Sequence, residues 1–158
     1  MITTRPVTLD DVDLLAHHRH RMFIDMGRPN DDFLHTVVAN FRPWITRKLQ
    51  SHEYLGWFAT KDDRVVAGAG LMLVDFPPTF KDPGTVRGYL FNFYVEPAFR
   101  GQRVGRMLLD CAMEETRRRH IGVVTLHTSE PGRPLYEHFG FEQSNEMMFR
   151  NRLDSPNP

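Results

Sequence analysis

The chain has 158 residues, of which 41% are apolar and 25% are charged, a composition typical of one globular domain. Its 20 Lys and Arg residues balance 20 Asp and Glu residues, which argues against the broad basic surface that DNA or RNA binding requires. The single cysteine, Cys111, excludes an intrachain disulfide and a cysteine-rich metal site.

The N-terminal segment MITTRPVTLDDVD has no apolar signal core. No run approaches the roughly 20 apolar residues that a membrane span needs, so we expect no contact with a membrane. A chain without cross-links fits a reducing compartment, and we expect a cytoplasmic protein. There is no internal repeat or long linker, and the sequence predicts one domain over residues 1–153 with a frayed tail at 154–158.

The N-terminal third predicts one strand and two helices. ITTRPVT alternates as a strand does, and Thr8 followed by Asp11 resembles a capped helix start. Gly27 is suited to end that helix. The next helix is expected to begin after Asn30 or Asp31, and Pro43 should break or restart it because proline removes a helical hydrogen bond.

The remainder predicts five strands and two helices. EYLGWFAT and VVAGAGLMLVDF are expected to form two strands joined by a tight turn at KDDR, and TVRGYLFNFYVEP a third strand. An apolar stripe from Val104 through Ala112 predicts a helix. GVVTLHT is then typical of a buried strand, PGRPLYEHFG of a short helix and FEQSNEMMFR of a last strand. This order indicates a mixed α/β sheet with helices on both faces.

The stretch VEPAFRGQRVGRMLL predicts an anion site where a strand leads into a helix. Unpaired N–H groups near Gln102–Val104 and the helix dipole favour a bound anion, and Gly101 and Gly105 permit close approach of the backbone. Where such a loop usually carries a second glycine, this one carries an arginine, which main-chain donors tolerate if its φ is negative and its side chain points outward. Three side chains can add charge-assisted hydrogen bonds to phosphate: Arg100, Arg103 and Arg106. A merely solvated helix start is the alternative.

The same residues resemble the acetyl-CoA motif of the GNAT-superfamily N-acetyltransferases, Q/R-x-x-G-x-G/A after a strand ending in V-x-P. Arg100 and Gly105 match its first and last positions, and Arg103 replaces its central glycine. LHTSEPGRPLYEHFGF is similar to the family's second signature. The likeness spans nearly the whole chain and implies a single-domain GNAT-like fold, with a mostly antiparallel central sheet of six to seven strands and helices on both faces.

The resemblance implies transfer of an acetyl group from acetyl-CoA to a primary amine by direct attack in a ternary complex. It places the pyrophosphate on Arg100, Gly101, Gln102, Arg103, Val104, Gly105 and Arg106. It places the pantetheine arm along Phe93, Tyr94 and Val95, in a splay between that strand and the one containing Leu126 and Thr128. A bulge commonly opens this splay, and the N–H near Val95 can then polarise the thioester carbonyl.

Four polar residues are candidates for the chemistry. Tyr136 falls where the family often places the general acid that protonates the leaving thiolate, a role that a phenol can fill at neutral pH. Glu96, at the end of the strand, is the candidate base, or else an exposed charge. Asn92 is either an orienting group or a satisfied polar residue at the splay. Ser129 either bonds the pantetheine or caps the next helix.

The acceptor is expected to be a small-molecule or peptide amine. The loop MGRPNDDF resembles the segment that overlies the acceptor, where Asp25, Asp31 and Asp32 can attract a cation, although Asp31 also suits a helix cap. Trp44 and Phe80 either line that cleft or pack elsewhere. His17 and His20 lack any metal-binding pattern and indicate a solvated helix face, so no metal is expected.

Two other functions stay open from sequence alone. One is a non-catalytic acyl-CoA-binding sensor or scaffold with the same fold. The other is a nucleic-acid module that uses the arginine patch, against which the neutral net charge counts. We expect no nucleic-acid partner, and a homodimer is left open.

Overall fold

The computed structural model describes residues 1–151, so the predicted tail and the domain end at 153 lie outside the described residues. The strands and helices run in the order β1 (Ile2–Pro6), α1 (Val12–Asp25), α2 (Asp32–Gln50), β2 (Tyr54–Lys61), β3 (Arg64–Asp75), β4 (Val86–Val95), α3 (Val104–Arg118), β5 (Val124–Leu126) and α4 (Arg133–Phe139). Single 3₁₀ turns precede α1 and follow β4.

The strands form one sheet in the order β1-β2-β3-β4-β5. All pairs are antiparallel except β4 with β5, which is parallel. Helices α1 and α2 pack on one face around Leu15, Ile45 and Phe58. Helices α3 and α4 pack on the other face around Leu108 and Tyr136. The predicted mixed, mostly antiparallel α/β fold is confirmed.

The predicted number of strands, six to seven, is wrong for the described residues, which form five. The segment 141–150, predicted as the last strand, pairs with no strand of residues 1–151. Its apolar side chains Met147, Met148 and Phe149 are exposed. The neighbouring edge strand β5 has only three residues, so it offers a short ladder to a further strand.

The β2–β3 turn confirms the tight hairpin expected at KDDR. Asp62 and Asp63 both have positive φ, 50° and 61°, as a two-residue turn matched to the strand twist requires.

The expected break at Pro43 is wrong, because α2 continues through it to Gln50. Phe41 and Ile45, on either side of the proline, are 6% and 0% exposed. Packing of this face against α1 and the sheet therefore outweighs the one hydrogen bond that the proline removes. No helix within residues 1–151 has the length and apolar character to cross a bilayer.

Candidate active site

A β-bulge in β4 shapes the centre of the sheet. Tyr94 pairs with Gly68 and Phe91 with Gly70, so two residues of β4 oppose the single Ala69. Asn92, at the bulge, has φ +59°. Such an extra residue interrupts the ladder and re-aims the side chains that follow.

The bulge places two consecutive β4 side chains on the α1–α2 face. The Phe91 ring packs against Trp44 at 5.9 Å between centroids, and Asn92 donates to the carbonyl of Leu15 at 3.5 Å. Phe93 then points to the opposite face, where its ring meets Tyr136 at 5.8 Å. The strand thus carries side chains into both halves of the cleft described next.

The β4 and β5 strands separate beyond one short paired stretch. Their parallel ladder ends at Leu90 opposite Leu126, whereas β4 continues to Val95. An open cleft of about 1450 Å³ lies at this divergence, with walls from α1, α2, the loop before α3 and the segment after β5. The predicted splay is therefore present.

The main chain of Val95 faces this cleft. The N–H of the next residue, Glu96, donates to the carbonyl of Val66 in β3 at 2.9 Å. In an antiparallel strand the N–H and C=O groups of every second residue point to the same neighbouring strand, so those of Glu96 point to β3 and those of Val95 do not. The carbonyl of Val95 instead accepts from Nε of Arg100 at 2.9 Å. The peptide edge of Val95 is therefore directed away from β3.

The loop before α3 presents a run of unused donors. Within residues 1–151, none of the N–H groups of residues 101–106 donates to a protein acceptor, and the first α3 bond runs from Met107 to Arg103 at 3.0 Å. Gly101, Gln102 and Arg103 are exposed at this turn. These N–H groups and the positive end of the helix dipole lie together where the sequence predicts an anion site.

The condition of a negative φ at Arg103 is not met. Its φ is +62°, in the left-handed region, which costs a non-glycine residue about 1–2 kcal/mol. Gly101 has φ +75°, so the turn uses two left-handed residues. The Arg103 side chain does point outward, as expected, and its N–H is unaffected by the substitution.

The other two arginines of the loop are engaged by protein groups. Arg100 forms an ion pair with Asp25 at the end of α1, which neutralises a carboxylate expected to attract the amine. Arg106 bonds Asp110 at 3.1 Å and lies over the Phe139 ring at 4.5 Å. Both line the cleft, within reach of an anion that exchanges for these partners.

Tyr136 lines the cleft from α4. It is 9% exposed, and its hydroxyl bonds to no group in the part of the chain that the structure describes. Burial raises the pKa of Tyr136 to about 12. The phenol is therefore protonated at neutral pH and able to donate.

The other sequence-predicted residues divide between the cleft and its surroundings. Phe93, Tyr94, Val95, Val104, Gly105 and Ser129 line it, whereas Glu96 and Gln102 do not. Ser129 does not cap α4 with its side chain; its carbonyl accepts from the N–H groups of Gly132 and Arg133 at 3.0 and 3.1 Å. The carbonyl oxygen and the NH₂ group of the Asn92 side chain both have partners, so Asn92 is a satisfied polar residue.

The residues expected near the acceptor also divide. Asp31 caps α2 by accepting from the N–H of Leu34 at 3.0 Å, and Asp32 is exposed. Trp44 lines the cleft, whereas Phe80 is fully exposed and does not. No group of three metal-ligating side chains forms within residues 1–151.

The interpretation of HHRHR as a solvated face missed one buried and one half-buried polar residue of α1, His18 and Arg19. His18 is 1% exposed, and burial lowers its pKa to about 4. Arg19 lines the cleft and donates to Oδ1 of Asn92 at 3.3 Å. The spacing of Leu15 with both residues, three and four positions on, was the available signal for a shared buried face.

The sequence model of the Acetyltransferase (GNAT) family matches residues 16–141. The chain belongs to this family. The match includes the bulged strand, the loop before α3 and Tyr136, so the GNAT fold and its cleft coincide with the geometry above. The expected family resemblance is confirmed.

Curated relatives and solved structures of GNAT proteins extend this result. A glucosamine 6-phosphate N-acetyltransferase of Trypanosoma brucei brucei is 31% identical, over 92% of each chain. A ribosomal protein bS18 alanine N-acetyltransferase of Salmonella typhimurium is 34% identical, over 67% of this chain and 69% of the relative. A predicted acetyltransferase from Clostridium acetobutylicum, solved with acetyl-CoA, has a TM-score of 0.88 and 30% identity, over 99% of this chain and 100% of its own. This GNAT chain is accordingly an acetyl-CoA-dependent N-acetyltransferase.

Proposed function

We propose that this enzyme transfers the acetyl group to a primary amine that enters from the α1–α2 side of the cleft, by direct attack within a ternary complex. The observation that carries the proposal is the run of unused N–H donors at residues 101–106, which opens onto the same cleft as Tyr136 and the peptide edge of Val95.

The loop is the proposed pyrophosphate site. Its main-chain donors bind the phosphate oxygens, and Arg100, Arg103 and Arg106 add positive charge around them. The thioester arm follows Phe93, Tyr94 and Val95 beyond the end of the β5 ladder, with Ser129 on the opposite wall. This arrangement brings the acetyl carbonyl to the N–H of Val95, a donor suited to the developing oxyanion.

Each proton in the reaction needs a carrier. The amine nitrogen bonds to the carbonyl carbon, the C–S bond breaks, and Tyr136 donates its proton to the departing thiolate. The nitrogen releases one proton to water as the amide forms, and water returns a proton to the Tyr136 phenolate. The ammonium proton of the acceptor must leave before attack. Glu96 does not line the cleft, so as the base it would act through a chain of waters.

The test combines binding and turnover. Calorimetry with acetyl-CoA measures cofactor binding, and a panel of amines is screened by release of free thiol. Saturable binding together with acetylation of an amine supports the proposal. Tight binding without acetylation of any amine would favour the sensor alternative, and absence of binding would refute both.

A further inference from the structure

Arg19 is a cation inside the acceptor side of the cleft. It projects from the middle of α1 and lines the cleft with residues of α2 and β4. Its only hydrogen bond to residues 1–151 goes to Oδ1 of Asn92, at 3.3 Å. Its Nε is buried and has no partner there. The guanidinium has five N–H donors, so most of its capacity is unused.

The charge of Arg19 has no carboxylate partner among residues 1–151. The polar groups that influence it electrostatically are the phenols of Tyr54 and Tyr89, which are neutral at physiological pH. Burial lowers the pKa of Arg19, yet arginine stays protonated in proteins. The arginines at the mouth differ, since Arg100 and Arg106 pair with Asp25 and Asp110.

Aromatic rings hold the guanidinium in place. It lies 5.2 Å from the ring centroid of Phe23, 4.8 Å from Phe41 and 5.9 Å from Phe91. These contacts fix its position and leave it half-buried, which strengthens its attraction for an anion. Even partial burial of a charge is costly without a counter-ion, so an anionic ligand fits this position.

The walls beside Arg19 are mainly apolar. They include Met22, Phe23, Val37, Phe41, Trp44 and Phe91. A sugar with many hydroxyl groups would leave those groups without partners here, whereas an aliphatic or aromatic body would bury apolar surface. The cleft therefore combines one cation with an apolar wall, next to the bulge that precedes Val95.

We propose that Arg19 binds the carboxylate of the acceptor, and that the acceptor is an α-amino acid with an apolar side chain. This inference rests on the proposed function and specifies its substrate class. The carboxylate fills the unused donors of Arg19, the side chain packs on the aromatic wall, and the adjacent amine is left facing the acetyl site.

The test compares amines that differ only in the carboxylate. Phenylalanine is paired with phenethylamine, and leucine with isoamylamine. Glucosamine 6-phosphate and a peptide with an N-terminal alanine represent other acceptors. A charge-assisted contact predicts that kcat/KM for phenylalanine exceeds that for phenethylamine by about ten- to a hundredfold. Arg19→Met should reduce this ratio to near one, mainly through KM. Arg47→Met, which removes an exposed charge of α2, should preserve it.

Equal kcat/KM for the paired amines would overturn the proposal, as would a preference for glucosamine 6-phosphate or the peptide. Acetyl-CoA calorimetry on each variant separates this failure from that of the proposed function, because acetylation without carboxylate preference leaves the latter intact. If Arg19→Met does not fold, the wild-type ratios decide. If no amine turns over, calorimetry with phenylalanine and phenethylamine decides through their affinities.

Discussion

Arg103 holds its main chain at φ +62° at the turn where the loop enters α3. Its side chain is exposed, and its N–H belongs to the donor run at residues 101–106. The residue therefore contributes a main-chain donor in a conformation that glycine adopts more readily. Backbone strain at this position and phosphate binding are separable effects.

Replacing Arg103 with glycine should stabilise the fold by about 1 kcal/mol, because it removes the left-handed penalty. Urea unfolding measures this change. Gln102→Gly is the matched control. Gln102 is not among the positive-φ residues, so this variant should be less stable than the wild type. Acetyl-CoA affinity of Arg103→Gly should stay within a few-fold of wild type. A large loss shared with Arg103→Ala would show that the side chain, and not the N–H, binds the phosphate.

Tyr136→Phe removes the proposed proton donor and retains the ring packing against Phe93. We expect kcat to fall by about a hundredfold, a typical effect of losing a general acid, with acetyl-CoA affinity unchanged. Tyr54→Phe is the control, because that buried hydroxyl has no hydrogen-bond partner within residues 1–151 and lies outside the cleft. Unchanged turnover in Tyr136→Phe would show that the thiolate takes its proton elsewhere.

At the scale of elements, the loop before α3 is tied to α1 by the ion pair of Arg100 with Asp25. The same arginine bonds the carbonyl of Val95. The end of β4, the loop and the end of α1 are thereby held together around the cleft mouth.

Arg106→Ala should weaken CoA about tenfold, because a charge-assisted bond to phosphate is lost, and should leave a pantetheine fragment without phosphate unaffected. Arg100→Ala should show the same selectivity. Calorimetry with both ligands measures it. Arg117→Ala, at the far end of α3, is the control. An equal loss for both ligands would contradict a role in phosphate binding.

His18 couples the packing of α1 to pH. Burial lowers its pKa to about 4, whereas the unfolded residue titrates near 6.5. Below about pH 6.5 the unfolded chain gains a proton that the folded chain does not, so stability falls as the pH drops toward 4. Between about pH 7.5 and pH 5 we expect the free energy of unfolding to fall by about 2 kcal/mol.

The variant His18→Gln should flatten this pH dependence in urea unfolding, whereas His17→Gln, at an exposed neighbour, should retain it. Some carboxyls have a pKa lowered by a partner, such as Asp11 beside Arg5. Their contribution to the stability of the fold is lost only at more acidic pH. An unchanged slope in His18→Gln would show that His18 is charged within the fold.

At the scale of the whole molecule, periodicity and turn chemistry predicted the elements whose packing is local. The hairpin at Asp62 and Asp63 and the helix from Val104 are examples, since their residues specify turn and face directly. The strand 141–150 and the break at Pro43 were wrong because both depend on packing partners distant in sequence. A local sequence pattern does not indicate such distant partners.

The parts of the site that motifs specify through main-chain geometry were predictable. The parts that depend on which side chains are buried in the tertiary structure were not. The donor loop and Tyr136 followed from two motifs. The positive φ of Arg103 was concealed by its residue type, since arginine rarely adopts it. The aromatic surroundings of Arg19 come from α1, α2 and β4 together. Neither its partial burial nor its lack of a counter-ion among residues 1–151 was therefore visible in HHRHR.

The central claim is that the N–H groups of residues 101–106 bind the pyrophosphate of acetyl-CoA. A ¹H–¹⁵N NMR titration with acetyl-CoA tests it at the donors themselves. We predict saturable shifts that are largest for these amides and small for amides in the last turn of α2. Saturable binding that leaves the amides of 101–106 unmoved, or no binding by folded protein, would contradict the account.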